Sequence, residues 1–297
     1  MHSFTYVRPQ SLEEASTFLS EHREQARILA GGTDLLVQIQ SSSVTPDYIV
    51  DIKHIPELNV LSFDETGGLR IGAAVPCFKI WNHHEIAHLY PGLIDAVQLI
   101  GGTQIQGRAT LGGNVANASP AADTIPSLIV HGAICDVIGR QGIRSIAVQD
   151  ICIGPGQNAL APDEFLLRFQ IKPPSIGFGA HYLRFIPRNE MDIAVASAGA
   201  SLVLNPDDQT VQYARIAIGA VAPTPLLVIA AGESLIGQPL TNESIDRAAR
   251  LAAQAAQPIT DIRGTISQRK HLAAVLTRRA LVKAQERALQ SLKGASH

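Results

Sequence analysis

An α+β fold divided into more than one domain is what the sequence predicts, on three observations. Strand and helix signals alternate through the first third of the chain. A turn-rich cluster, KPPSIGFG at 172–179, then interrupts the pattern. After it comes a run of strands and then a run of helices, the order expected of a small α+β domain. The 297 residues, 46% of them hydrophobic, can bury a sizeable core, and a chain of this length commonly forms two or three domains.

Taken in order, TYV reads as a first strand. SLEEASTFL reads as a helix, because Ser11 and Glu14 have capping-box spacing and Leu12, Ala15 and Leu19 form an apolar face. The apolar pair Ile28-Leu29 runs into Ala30-Gly31-Gly32-Thr33-Asp34, and LLVQI after it can open a helix. DYIVDI, LRIGAAV, ICDVIG, RSIAV and FLLRFQI read as strands, with helices over FKIWNHHEIAHL and LIDAVQLIG. Beyond the boundary, HYLRFI, VASAGASLVL and VQYARIAIGAV are strands. SIDRAARLAAQAA and HLAAVLTRRALVKAQERAL are amphipathic helices, the second with Val275, Val282 and Leu289 seven apart.

Composition excludes several functions. A net charge of -2 without a run of like charges provides no basic face for nucleic acid. No stretch approaches the ~20 apolar residues of a membrane span. The start, MHSFTYVRPQSLEEA, lacks the regions of a signal peptide, so a cytoplasmic location is expected. Cys77, Cys135 and Cys152 are dispersed and odd in number, which suits buried reduced thiols rather than a zinc or iron–sulfur site. Metal or cluster chemistry would therefore belong to another chain.

Two glycine loops carry the chemistry. Main-chain amides freed in a turn can converge on an anion, and glycine lets that anion approach because no Cβ intervenes. Gly31-Gly32-Thr33 offers this after a strand, and Thr110-Leu111-Gly112-Gly113-Asn114 offers it again. Either loop alone fits a tight turn. Together, with the small-residue run from Asn114 to Asp123, they suit a pyrophosphate clamped from two sides, with Asp123 placed to accept from ribose hydroxyls. Neither a P-loop nor a strand-to-helix G-x-G-x-x-G is present, so a bound dinucleotide would not sit on a Rossmann fold.

AGGTDLL and TLGGNVANASPAAD closely resemble the two flavin motifs of the FAD-binding medium subunits of molybdenum hydroxylases. The likeness extends through GPGQNALAPDEFLLRFQI and HYLRFIPRNEMDIAVASAGASL. It implies a two-part FAD-binding region of the vanillyl-alcohol-oxidase type, 1–56 and 57–175, and a C-terminal α+β domain, 176–297, with an antiparallel sheet and helices. It also implies pyrophosphate contacts from Ile28, Leu29, Ala30, Gly31, Gly32, Thr33, Asp34 and Leu35, and from Thr110, Gly112, Gly113 and Asn114. Asp123 would bind the ribose side, Ile100 would lie near the flavin ring, and Leu166 and Arg184 would meet the isoalloxazine region. Some relatives carry lysine where Arg184 stands; read alone, Arg184 is a strand-edge charge. Covalent flavin attachment in some relatives uses histidine or cysteine, and neither occurs within 28–35 or 110–123, so non-covalent FAD is expected. The implied partners are a molybdopterin-binding large subunit and a small subunit with [2Fe-2S] clusters, with NAD, a quinone or oxygen as acceptor.

HEIAH at 84–88 formally matches the zinc motif H-E-x-x-H. Pro91-Gly92 follows at once and no third ligand is evident, which favours a solvated helix. The alternative to a subunit is a self-contained flavin oxidase; a scaffold without flavin conflicts with the intact loops. No G-x-S-x-G elbow occurs, and Ser197 reads as a packing residue.

Overall fold

The computed structural model describes residues 3–188 and 191–294. Asn189 and Glu190, within the HYLRF stretch quoted above, lie outside the described residues.

The first sheet is parallel: β1 (Thr5–Val7), β2 (Ala26–Leu29) and β3 (Tyr48–Asp51) in the order β1-β3-β2. Helix α1 (Leu12–His22) joins β1 to β2. Ser11 caps it by accepting from the Glu14 amide at 3.1 Å, but the Glu14 carboxylate reaches the amide of Gln10 rather than that of the cap residue. Helix α2 (Leu35–Gln40) follows the first glycine loop, as expected of LLVQI.

The second sheet is antiparallel. It uses β4 (Leu61–Asp64), β5 (Gly68–Gly72), β6 (Ile134–Gly139), β7 (Gly142–Ala147) and β10 (Phe165–Ile171) in the order β4-β5-β10-β6-β7. A small hairpin, β8 (Cys152–Gly154) with β9 (Gln157–Asn158), precedes β10. Between β5 and β6 lie six short helices: α3 (Cys77–Trp81), α4 (His84–Leu89), α5 (Pro91–Val97), α6 (Thr103–Gln106), α7 (Leu111–Ala116) and α8 (Thr124–Val130). The single helix expected over FKIWNHHEIAHL is thus two, because the chain extends at His83 before α4 begins. Pro91 then opens α5, at the position where its missing amide costs least.

The third sheet has β11 (Phe178–Phe185), β12 (Ala196–Leu204), β13 (Val211–Gly219) and β14 (Leu226–Leu227), all antiparallel in that order. Helix α9 (Ile229–Glu233) leads to α10 (Asn242–Ala255) and the 29-residue α11 (Ile266–Gly294), which packs on β11 and β12. Each sheet falls inside one of the three segments 1–56, 57–175 and 176–297. The cores divide differently. One cluster runs from Ala15 to Ile171 through the first two segments and takes in Ala217 of the third sheet, while a second holds the C-terminal sheet to its helices.

An acid-base cluster ties the C-terminal part to the rest. Asp95 on α5 accepts from Arg287 on α11 at 2.5 and 2.9 Å and from His181 Nδ1 on β11 at 2.5 Å. Burial pushes the Asp95 carboxyl up, but His181 and Arg287 outweigh it and leave it below its ordinary value.

Candidate functional site

The strand β2 ends at Leu29, and Gly31 then brings the chain against the segment that leads into the second motif. A Cβ on Gly31 would lie 2.2 Å from the carbonyl oxygen of Arg108, so only glycine permits the approach. Gly32 follows with φ +79°, a left-handed turn that glycine adopts without strain. Its carbonyl accepts from Leu36 at 3.0 Å as α2 begins.

The second motif is not a loop but the first turn of a helix. Thr110 is the N-cap of α7 and its Oγ1 accepts from the Gly113 amide at 2.9 Å, so both glycines are helical. Threonine at an N-cap outweighs the low helix propensity of Gly-Gly, which is why composition alone suggested a turn. Here too glycine is needed twice for different reasons. A Cβ on Gly112 would meet the Ala73 carbonyl oxygen at 2.4 Å, whereas a Cβ on Gly113 would meet only Thr110 Oγ1, at 3.2 Å.

These two segments line one cavity of ≈ 420 Å³ between the first and second sheets. Of the residues singled out in the sequence, it gathers Ile28, Ala30, Gly31, Gly32, Thr33, Asp34, Leu35, Ile100, Thr110, Gly112, Gly113, Asn114 and Leu166. Leu29 is not among them; it is buried with Ile39 and Ile49. Among the described residues, no acceptor in the chain meets the amides of Gly32, Thr33 and Asp34 on one side or that of Gly112 on the other. Unpaired amides beside an open cavity are the donor set an anion requires. Asp34 has surface open to the cavity, yet crowding by the surrounding chain removes water and raises its carboxyl above the ordinary value.

Asp123 and Arg184 do not line the cavity. Arg184 Nη1 lies 2.5 Å from Asp123 Oδ2, and the Tyr182 hydroxyl donates to Asp123 Oδ1 at 2.9 Å. The three form a buried cluster between the start of α8 and strand β11. Burial pushes the Asp123 carboxyl up to about 6, with Arg184 and Tyr182 pulling it down. Of Leu166 and Arg184, Leu166, at a bulge in β10, lines the cavity and Arg184 does not.

Sequence reasoning missed several polar residues on the walls. Gln38 Nε2 donates to Asn117 Oδ1 at 3.2 Å, bridging α2 to the end of α7. Asn158 Nδ2 donates to the Ala116 carbonyl at 2.7 Å. Arg23 lines the cavity with φ +41°, a strained conformation for a non-glycine residue. Their residue types give no local signal; only the tertiary fold places them. Elsewhere, His84 and His88 lie on the six-residue α4, and among the described residues no group of three metal-ligating side chains converges. Cys77 and Cys135 are buried and Cys152 half-buried; burial pushes the Cys77 thiol up to about 12. No helix among the described residues is long and apolar enough to cross a membrane.

Residues 2–174 match the family described as the FAD binding domain in molybdopterin dehydrogenase, and residues 181–284 match the CO dehydrogenase flavoprotein C-terminal domain. The chain is 29% identical to the xanthine dehydrogenase FAD-binding subunit of Escherichia coli, covering 94% of this chain and 95% of that one. It is 32% identical to the carbon monoxide dehydrogenase medium chain of Afipia carboxidovorans, covering 96% and 98%. A chain in the crystal structure of cyanide-inactivated Cu,Mo-CO dehydrogenase matches with a TM-score of 0.92 at 31% identity, over 97% of this chain and 99% of that one.

Proposed function

The chain belongs to the FAD-binding medium subunits of the molybdenum hydroxylase family, and on that premise we propose how it serves as an electron-transfer subunit. Electrons arrive from [2Fe-2S] clusters on a small partner subunit, after substrate oxidation on a molybdopterin-binding large subunit, and leave to NAD or another acceptor. FAD supplies a redox centre able to take electrons from clusters and pass them on. The protein supplies binding, orientation and electrostatics.

The amides of Gly32, Thr33 and Asp34 hold the pyrophosphate from one side and that of Gly112 from the other. Gly113 leaves room for it, since nothing but Thr110 Oγ1 stands where its Cβ would be. Ile28, Ile100 and Leu166 give the apolar wall, with Ile100 toward the ring. Asp123 and Arg184 act from behind that wall, as a buried pair that fixes the start of α8.

The observation that carries this reading is the single cavity into which both glycine motifs, 79 residues apart between Gly31 and Thr110, bring unpaired amides. Binding is non-covalent, because neither histidine nor cysteine occurs in the two motifs. The test uses the complex purified from its own cells. Acid precipitation should leave FAD in the supernatant; flavin retained on the polypeptide contradicts non-covalent binding. Anaerobic reduction followed by mixing with NAD, quinone or oxygen should reoxidise the flavin with at least one of them. Failure with all three contradicts the proposed outlet.

A further inference from the structure

Asn114 stands on the cavity wall, and its carboxamide is held from behind. Its Oδ1 accepts from the Thr124 hydroxyl at 2.6 Å and from the Thr124 main-chain amide at 3.3 Å. An N–H can only donate, so the Asn114 atom facing the Thr124 amide must be the oxygen, whichever way the side chain is otherwise drawn. The NH2 end then points away from Thr124, and among the described residues no protein acceptor meets it. Thr124 is itself fully buried, at 0% exposure. Its neighbour Asp123 is pinned by Tyr182 and Arg184 from the third sheet.

We propose that Thr124 is a positioning residue: by occupying Oδ1 twice, it fixes Asn114 as a donor directed at the cofactor's phosphates. Without the hydroxyl the carboxamide keeps only the 3.3 Å bond from the Thr124 amide and is held less firmly as a donor. The Asp123–Arg184–Tyr182 cluster holds Thr124 in place, so the C-terminal domain helps to set the polarity of a cofactor contact it does not itself make. This rests on the reading that FAD occupies the cavity.

The test is titration of the full-length apo chain with three probes, FAD, ADP and riboflavin. Thr124→Val keeps the shape and the amide but loses the hydroxyl donor. It should weaken FAD and ADP about tenfold, the worth of one oriented hydrogen bond, and leave riboflavin, which has no phosphate, unchanged. Thr124→Ser should restore wild-type binding of all three. Asn114→Ala should lose the same factor for FAD, and adding Thr124→Val to it should lose nothing more. Riboflavin weakening in step with FAD would show a merely structural role and overturn the proposal. So would wild-type FAD affinity in Asn114→Ala, a measurement that stands even if the Thr124→Val chain does not fold. A Gly113→Val chain that still fills with FAD would instead sink the placement of FAD in this cavity.

Discussion

Gly113→Val separates the two reasons for which this chain uses glycine. The added Cβ meets only Thr110 Oγ1 at 3.2 Å, and valine has a slightly better helix propensity than glycine. The worst structural outcome is loss of the cap bond from the Gly113 amide to Thr110, costing about 1 kcal/mol. The two methyl groups, however, enter the space assigned to the pyrophosphate. Displacing it from two of its amides forfeits roughly 3–6 kcal/mol, at about 1.5–3 kcal/mol for each hydrogen bond to a charged group. That corresponds to a loss of affinity of roughly 10²–10⁴-fold. The assay is FAD titration of the apo chain alongside urea unfolding. The expected result is a folded, colourless protein whose unfolding midpoint barely moves. Full flavin occupancy would refute the placement of the pyrophosphate; an unfolded chain would refute the claim that Gly113 faces open space.

Gly31→Ala and Gly112→Ala should do the reverse, failing to fold or unfolding at much lower urea, because each Cβ meets a carbonyl oxygen at 2.2 or 2.4 Å; wild-type stability in either would contradict the packing. Asp123→Ala leaves Arg184, only 6% exposed, charged and unpaired, and should cost about 3–5 kcal/mol in urea unfolding; a loss under ~1 kcal/mol would mean the pair is not buried. Burial pushes His131 down to about 4, with its Nδ1 donating to the Ser127 carbonyl and Nε2 unpartnered. Its unfolded form binds more protons between about pH 6.5 and pH 4, so its contribution is complete above pH 6.5 and lost as pH falls, on the order of 3 kcal/mol. Asp123, raised by burial, tilts the curve oppositely over part of that range, so the readout is the difference between wild type and His131→Gln. Parallel curves for the two would contradict a neutral buried His131.

Much of the architecture was legible because it rests on local signals. The alternation of LRIGAAV and FLLRFQI and the turn cluster at 172–179 act within a few residues of themselves, whereas the stripe Val275, Val282 and Leu289 is not the buried face of α11: Val282 is exposed, and Ala273, Leu276, Ala280, Ala284 and Ala288 are buried against the third sheet. The same locality explains the failures. Gly112-Gly113 looked like a turn because the capping hydroxyl of Thr110 outweighs propensity only once the chain has folded against Ala73. FKIWNHHEIAHL looked continuous because nothing in the sequence marks the extended His83. The glycine motifs could be recognised as a pair, but not that Gly31 and Gly112 serve the packing of chain on chain while Gly113 serves the cavity. Asp123 and Arg184 were each legible as charges near a flavin; that they pair with one another depends on β11 crossing α8, 61 residues apart. Thr124, Gln38 and Asn158 carry no local mark at all.

The most direct measurement is the position of FAD in a crystal structure of the flavin-loaded chain. The account predicts the pyrophosphate within hydrogen-bond reach of the amides at 32–34 and 112, with the Gly113 Cα against it and the Asn114 NH2 turned toward a phosphate oxygen. Flavin bound outside this cavity, or a pyrophosphate held by side chains while those amides remain without a partner, would contradict it.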